Sequence, residues 1–165
     1  MTATVTALAL LISLITDLRS RKIWNAVTMP AMGFGLAAHA VADGVSGFAF
    51  AGLGLLTGFG LLLIPYLLGG MGAGDVKLLA AIGALQGPAF VFHAFLYTAV
   101  AGGVIAAVIV TARRDWRRIA YSLGVFHGSV GSLQVLDKKE MHHAFPYAVP
   151  IAIGTAAAFW RGGML

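Results

Sequence analysis

The sequence contains no cysteine. That excludes disulfides, thiolate zinc sites, iron–sulfur ligation and a cysteine nucleophile. Charge is scarce as well: only 10% of the residues are Asp, Glu, Lys or Arg, against roughly a quarter in ordinary soluble domains. No GxxxxGK[ST], GxGxxG or HExxH string occurs, so neither a phosphate-cradling loop nor a zinc-protease helix is written here. No internal repeat is visible. The excess of 11 Lys+Arg over 6 Asp+Glu is not arranged on a face interleaved with aromatics, and a nucleic-acid platform is not expected.

What is present is apolar. The 165 residues are 59% hydrophobic, with a mean hydropathy of +0.90. That excludes a disordered chain and supplies enough for four to six membrane spans of ~20 residues each. The expected fold is all-α, a polytopic membrane protein of about six transmembrane helices forming a single membrane-embedded domain over residues 1–165.

The spans read as follows. The first runs from Thr4 to Thr16 and stops at Asp17, before Arg19, Arg21 and Lys22. Its positive charges follow the apolar run, whereas a cleaved signal peptide carries them in front, so this is a retained span. The second covers Val27–Ala42 and the third Gly47–Leu68. Gly52, Gly54, Gly58 and Gly60 in the third are expected to let helices pack closely. Residues 76–112 are nearly all apolar, and one helix of that length would reach about 55 Å, too long for a ~30 Å hydrocarbon core. Gln86-Gly87-Pro88 breaks it, giving a short fourth span, 76–86, and a fifth, 89–112. Residues 113–143 are polar, with a short interfacial helix expected around Trp116, Ile119, Ala120 and Leu123. The sixth span is Ala144–Trp160.

With six spans and the amino terminus outside, Arg19, Arg21, Lys22, Lys77, Arg113, Arg114, Arg117, Arg118, Lys138 and Lys139 all fall inside, and only Arg161 falls outside. Merging the fourth and fifth spans would put the arginine block outside, against the positive-inside rule.

Two acidic residues then stand apart. Asp17 and Asp75 abut apolar spans at the same membrane face, where ionisable groups are costly and usually have a partner or a task. Taken singly, Asp17 reads as a boundary charge beside Arg21 and Asp75 as a helix cap. Together they read as a carboxylate pair. Two such groups sharing a site cannot both ionise cheaply; the ionised one draws a proton from water and the protonated one polarises a carbonyl. Asp17 is expected to end a helix and Asp75 to begin one, which assigns Asp75 as base and Asp17 as acid by the helix dipole. Gly70, Gly72 and Gly74 lack the Cβ that would keep an extended substrate backbone away.

The stretch GMGAGDVKLLAAIGA, with Gly72, Gly74 and Asp75 in the GxGD positions, resembles the second aspartate motif of the type IV prepilin peptidases, a family of GxGD intramembrane aspartyl proteases. TDLRSRKIWNAVT resembles the first aspartate region, with Asp17 in the catalytic position; the family usually has Ile-Pro-Asn where this chain has Ile23-Trp24-Asn25. FPYAVPIAIG, from Phe145, resembles the last span. The absence of an amino-terminal cysteine-rich region is similar to the short peptidases of tight-adherence (Flp) pilus systems, and implies cleavage without methyl transfer. The resemblance implies pilin and pseudopilin precursors as substrates, cut after glycine at the inner face of the bacterial cytoplasmic membrane, with pilus-assembly machinery as a further partner.

Lys77 reads as a cytoplasmic anchor, or else as a contact for substrate carboxylates or a group that lowers the Asp75 pKa. Asn25 is expected to order the first loop. Gly72, Gly74, Lys77 and Asn25 are thus the candidate substrate-binding residues beside Asp17 and Asp75. His142 and His143 have no further ligands at zinc spacing; no metal and no cofactor is expected. His39 and His93 read as packed, hydrogen-bonded histidines, and Pro146, Tyr147 and Pro150 as shaping the start of the last span. From a different class, a small proton-coupled transporter could use the same two carboxylates with glycine-broken helices.

Overall fold

A computed structural model describes residues 1–113 and 147–162 of the chain. The described residues form five helices: α1 (Thr2–Ser20), α2 (Asn25–Leu67), α3 (Ala73–Gln86), α4 (Pro88–Arg113) and α5 (Ala148–Gly162). Two compact units are distinguished, Met1–Ala101 with Pro146–Leu165, and Gly102–Phe145. Of the second, the described part is the end of α4. The expected interfacial helix and the His142-His143 pair lie outside the described residues.

The chain is an all-α, polytopic membrane protein. Among the described residues three helices are long and apolar enough to cross a bilayer: Thr2–Ser20, Asn25–Leu67 and the stretch Pro88–Ile109 of α4. The difference from six expected spans has a physical origin. The second and third expected spans form one helical run of 43 residues in α2. At 14 and 15 residues, α3 and α5 reach only about 21–23 Å, less than a hydrocarbon core.

α2 is not one straight rod. Gly44 has φ 62 and ψ −136, a conformation that only glycine adopts without strain. The chain reverses there. His39 and Phe50, 11 positions apart, bring their rings to 5.3 Å, where a straight helix would separate them by about 16 Å. The break falls in the Asp43-Gly44-Ser46 turn that separates the expected second and third spans.

Burial is inverted relative to a water-soluble protein. Along α1 the buried residues are Thr6, Ala9, Ser13 and Asp17, while Leu8, Leu11, Ile12, Ile15 and Leu18 face outward. Large apolar side chains gain little by leaving lipid for each other, so small and polar residues take the interior. α3 is the exception, because it is enclosed. Val76, Leu78, Leu79, Ile82 and Leu85 are all at most 2% exposed. Leu78, Leu79 and Ile82 form a core with Leu62, Val91 and Ile151, and Ala81 and Leu85 form a second with Ala9 and Ala31.

Glycine makes that enclosure possible. Cβ atoms on Gly54 and Gly58 of the second arm of α2 would collide with the carbonyls of Gly83 and Leu79 on α3, and one on Gly35 of the first arm would come within 2.6 Å of the Ala84 oxygen. Gly52 and Gly60 have nothing within 4 Å. Gly52, Gly54, Gly58 and Gly60 therefore divide: two carry the close approach to α3 and two face open space.

α3 is delimited at both ends. At its start the Gly72 N–H donates to Asp75 Oδ2 (3.1 Å). At its end Gly87 turns with φ 87, its N–H donating to the Gly83 carbonyl (2.8 Å), and a side chain there would strike the Phe50 ring. Pro88 then opens α4, the first helical position suiting a residue without an N–H. The polar groups of this end are also partnered: Gln86 Nε2 donates to Thr6 Oγ1 (2.8 Å), and His39 Nε2 lies 3.1 Å from the Leu85 oxygen.

Candidate active site

Asp17 sits in the last turn of α1, 7% exposed. The helix ends at Ser20, three residues later, because Arg21 adopts a left-handed conformation (φ 52, ψ 34) while its N–H donates to the Asp17 carbonyl (2.8 Å). For a residue with a side chain that conformation costs about 1–2 kcal/mol. Asp17 Oδ2 accepts a hydrogen bond from the Ala148 N–H at 3.2 Å. Ala148 is the first residue of α5, so this amide is one of the helix-end donors that has no partner within its own helix.

Asp75 occupies the first turn of α3, outside the three candidate spans, and is also 7% exposed. Its pKa is raised from 3.8 to about 6 by burial first and by the charge of Asp17 second, with the N–H groups of Gly72 and Asp75 pulling the other way. The two carboxyl groups, 58 positions apart in sequence, are thus electrostatic neighbours. Each is held through Oδ2 by a backbone amide, Asp75 by that of Gly72 at its own helix start and Asp17 by that of Ala148 in α5.

This geometry alters the expected division of labour. Asp17 ends α1 and Asp75 begins α3, as expected. Asp17 also meets the amino end of α5, which the sequence did not reveal. Both carboxylates therefore face a helix amino end, and the dipole argument no longer separates acid from base. The raised Asp75 pKa favours Asp75 as the holder of a shared proton instead.

Gly69, Gly70, Gly72 and Gly74, around the start of α3, have contacts or turns of the chain's own. A Cβ on Gly74 would stand 2.9 Å from Ile23 Cβ, and one on Gly72 would stand 3.3 Å from Asp75 Oδ2. Gly69 turns with φ 75, and the Gly70 N–H donates to the Pro65 carbonyl (2.9 Å). The space expected to admit a substrate backbone is at Gly74 filled by Ile23. Gly72 delivers the amide that holds Asp75.

Lys77 and Asn25 meet each other: Lys77 Nζ donates to Asn25 Oδ1 at 3.0 Å on the exposed surface. The bond ties the start of α2 to the first turns of α3. Lys77 is not among the groups that shift Asp75, so the expected lowering of that pKa is absent. Trp24, where the resembling family has proline, caps α2 with φ −77 and ψ 130. That lies inside the range a proline ring imposes. His39 and His93 both bond backbone carbonyls. Among the described residues no group of three or more His, Cys, Asp or Glu is placed to hold a metal ion.

Sequence reasoning missed the Ala148 amide. The available signal was Pro150, two residues on. A proline that close to a helix start marks a first turn with free N–H groups, and a buried carboxylate elsewhere is a natural acceptor.

A model of the type IV leader peptidase family matches residues 4–107. The matched stretch contains both aspartates and stops short of α5. No curated protein and no solved structure matches the chain.

Proposed function

The chain belongs to the type IV leader peptidase family, and from that premise we propose that it is an aspartic endopeptidase in which Asp17 and Asp75 act together on the leader peptides of Flp-like prepilins and pseudopilins. The observation that carries this reading is that two carboxyl groups from distant parts of the sequence are both buried and near enough for the charge of Asp17 to bear on Asp75. Burial and like charge make the doubly ionised state costly, so Asp75 keeps its proton to higher pH than a free carboxyl would, up to about 6. That is the state a water-activating dyad needs.

In the proposed reaction the ionised carboxylate takes a proton from a water molecule as the oxygen attacks the scissile carbonyl. The protonated carboxyl donates to the carbonyl oxygen. The C–N bond of the tetrahedral diol then breaks: the leaving amine takes a proton from the carboxyl that first acted as base, and one diol hydroxyl returns its proton to the other carboxylate, which restores the starting state. Asp75 supplies the shared proton and Asp17 is the base. The Lys77–Asn25 pair, exposed and two residues from Asp75 along α3, is the proposed contact for substrate.

The six-span arrangement, with the amino terminus outside and the dyad at the cytoplasmic face of the bacterial inner membrane, is part of the same proposal. It is supported by the helical hairpin at Gly44, which adds a crossing to α2, and by the placing of ten of the eleven Lys+Arg on one side. It would put the scissile bond where a short basic leader meets an apolar helix.

The test is cleavage. Purified protein in proteoliposomes is incubated with a Flp-type prepilin and the products are read by mass spectrometry, then again with Asp17→Asn and Asp75→Asn. A single cut that disappears in both variants is the expected result. A buried carboxyl with a raised pKa also suits proton binding in a transporter. That reading gains if no cut occurs in any variant while proton uptake falls in both.

A further inference from the structure

We infer that the amino end of α5 is a working part of the dyad: the backbone N–H of Ala148 is the positioning group for Asp17. The inference rests on the peptidase reading above. It begins from the bond between α5 and an aspartate, Ala148 N–H to Asp17 Oδ2 at 3.2 Å.

Both ends of this bond are fixed. Ala148 is 1% exposed, and Ile151, one turn further on, belongs to the same core as Leu78 and Val91. Along its length α5 lies hard against α4. A Cβ on Gly154 would collide with the Thr98 side chain and stand 2.6 Å from the Ala94 oxygen. The rings of Phe159 and Phe90 meet at 4.7 Å between centroids, tilted by 54°, and Arg161 Nη1 donates to the Tyr97 hydroxyl at 3.3 Å. With α5 held at these points, its first amide is a stationary donor. Asp17, by contrast, lies in the last turn of α1, where helices fray.

The chemistry needs such a donor. A carboxyl group rotates about its Cβ–Cγ bond, and a base must present one oxygen to water while the other is engaged. The Gly72 N–H does this for Asp75, from within its own helix start. Asp17 has no comparable amide in α1, because the N–H groups of a last turn point back into the helix. It takes one from α5 instead. Ala148 thus joins the site from beyond the segment matched by the family model.

The bond is a charge-assisted one, and deleting such a bond costs about 10- to 100-fold in the function it supports. Ala148→Pro removes the N–H while leaving a residue that suits the first helical position. Ala148→Gly keeps the N–H. Steady-state cleavage of a Flp-type prepilin in proteoliposomes is expected to show kcat down about 10- to 100-fold in A148P, KM within about twofold, and A148G close to wild type. If A148P fails to fold, an amide-to-ester replacement at position 148 deletes the same hydrogen and keeps the methyl side chain. Wild-type kcat in A148P, or in the ester form where that is used, overturns the inference. So does an equal loss in A148G, or a loss carried by KM, since either would mean that α5 acts through packing alone. If the wild type cuts nothing, or Asp17→Asn cuts at full rate, the peptidase reading itself has failed, and with it the role given to Ala148.

Discussion

Replacing Gly54 by alanine is expected to destabilise the protein, and replacing Gly52 by alanine is not. The two glycines lie two residues apart in the second arm of α2. Each substitution gains the same helix propensity, up to about 1 kcal/mol, so that term cancels when the variants are compared. Packing remains. A methyl on Gly52 meets nothing within 4 Å, whereas one on Gly54 meets the Gly83 carbonyl and comes within 3.0 Å of Gly87. Those are backbone atoms of an enclosed helix, and they cannot swing aside as a side chain would. Gly83 is equally intolerant in return, since its own Cβ would strike the Gly54 carbonyl. Forcing two backbones apart by one methyl costs about 1–3 kcal/mol. The difference between the variants, read by unfolding in mixed detergent micelles with increasing SDS, should fall in that range with Gly54→Ala the weaker. Equal stability, or a more stable Gly54→Ala, would refute the claim that glycine contacts hold α2 against α3.

Other consequences are as direct. Ser13 and Thr28 are buried with hydroxyls that have no hydrogen-bond partner, whereas the buried hydroxyls of Thr6, Thr98 and Thr155 bond the carbonyl four residues back; Ser13→Ala and Thr28→Val should each raise stability by about 1 kcal/mol in the same unfolding assay, because an unsatisfied buried donor costs about 1–3 kcal/mol. Trp24→Pro should fold and gain a few tenths to 1 kcal/mol, since Trp24 already has proline's backbone angles and the unfolded chain would lose freedom; a lowered melting temperature would contradict this. The raised Asp75 pKa sets a pH dependence of stability. The folded carboxyl holds its proton to higher pH than the unfolded one, so the contribution is full below about 3.8 and is lost as pH rises through about 6. Asp75→Asn should flatten that part of the profile, and an unchanged slope would show that Asp75 does not titrate as described.

Much of this was legible in the sequence because membrane helices announce themselves by composition. The break at Gln86-Gly87-Pro88 and the turn around Gly44 were both marked by residues with special backbone demands. Asp17 and Asp75 stood out because carboxylates next to apolar runs are rare. Other features were not legible for equally physical reasons. Which of Gly52, Gly54, Gly58 and Gly60 touch another helix depends on rotation about the helix axis, and a run apolar on all sides carries no amphipathic mark to set it. The pairing of Lys77 with Asn25 joins residues 52 positions apart, a contact that only the tertiary fold creates. The Ala148 amide is a backbone group, which no side-chain pattern can flag.

The central claim is that Asp17 and Asp75 act as one unit, and a double-mutant cycle on prepilin cleavage tests it most directly. Single-turnover rates are measured for the wild type, Asp17→Asn, Asp75→Asn and the double variant in the same proteoliposomes. Residues that share one task lose it together, so each single variant should fall by about 1,000-fold or more and the double should be no slower than the worse single. A single variant that cuts near the wild-type rate, or losses that multiply in the double, would show two carboxylates working apart.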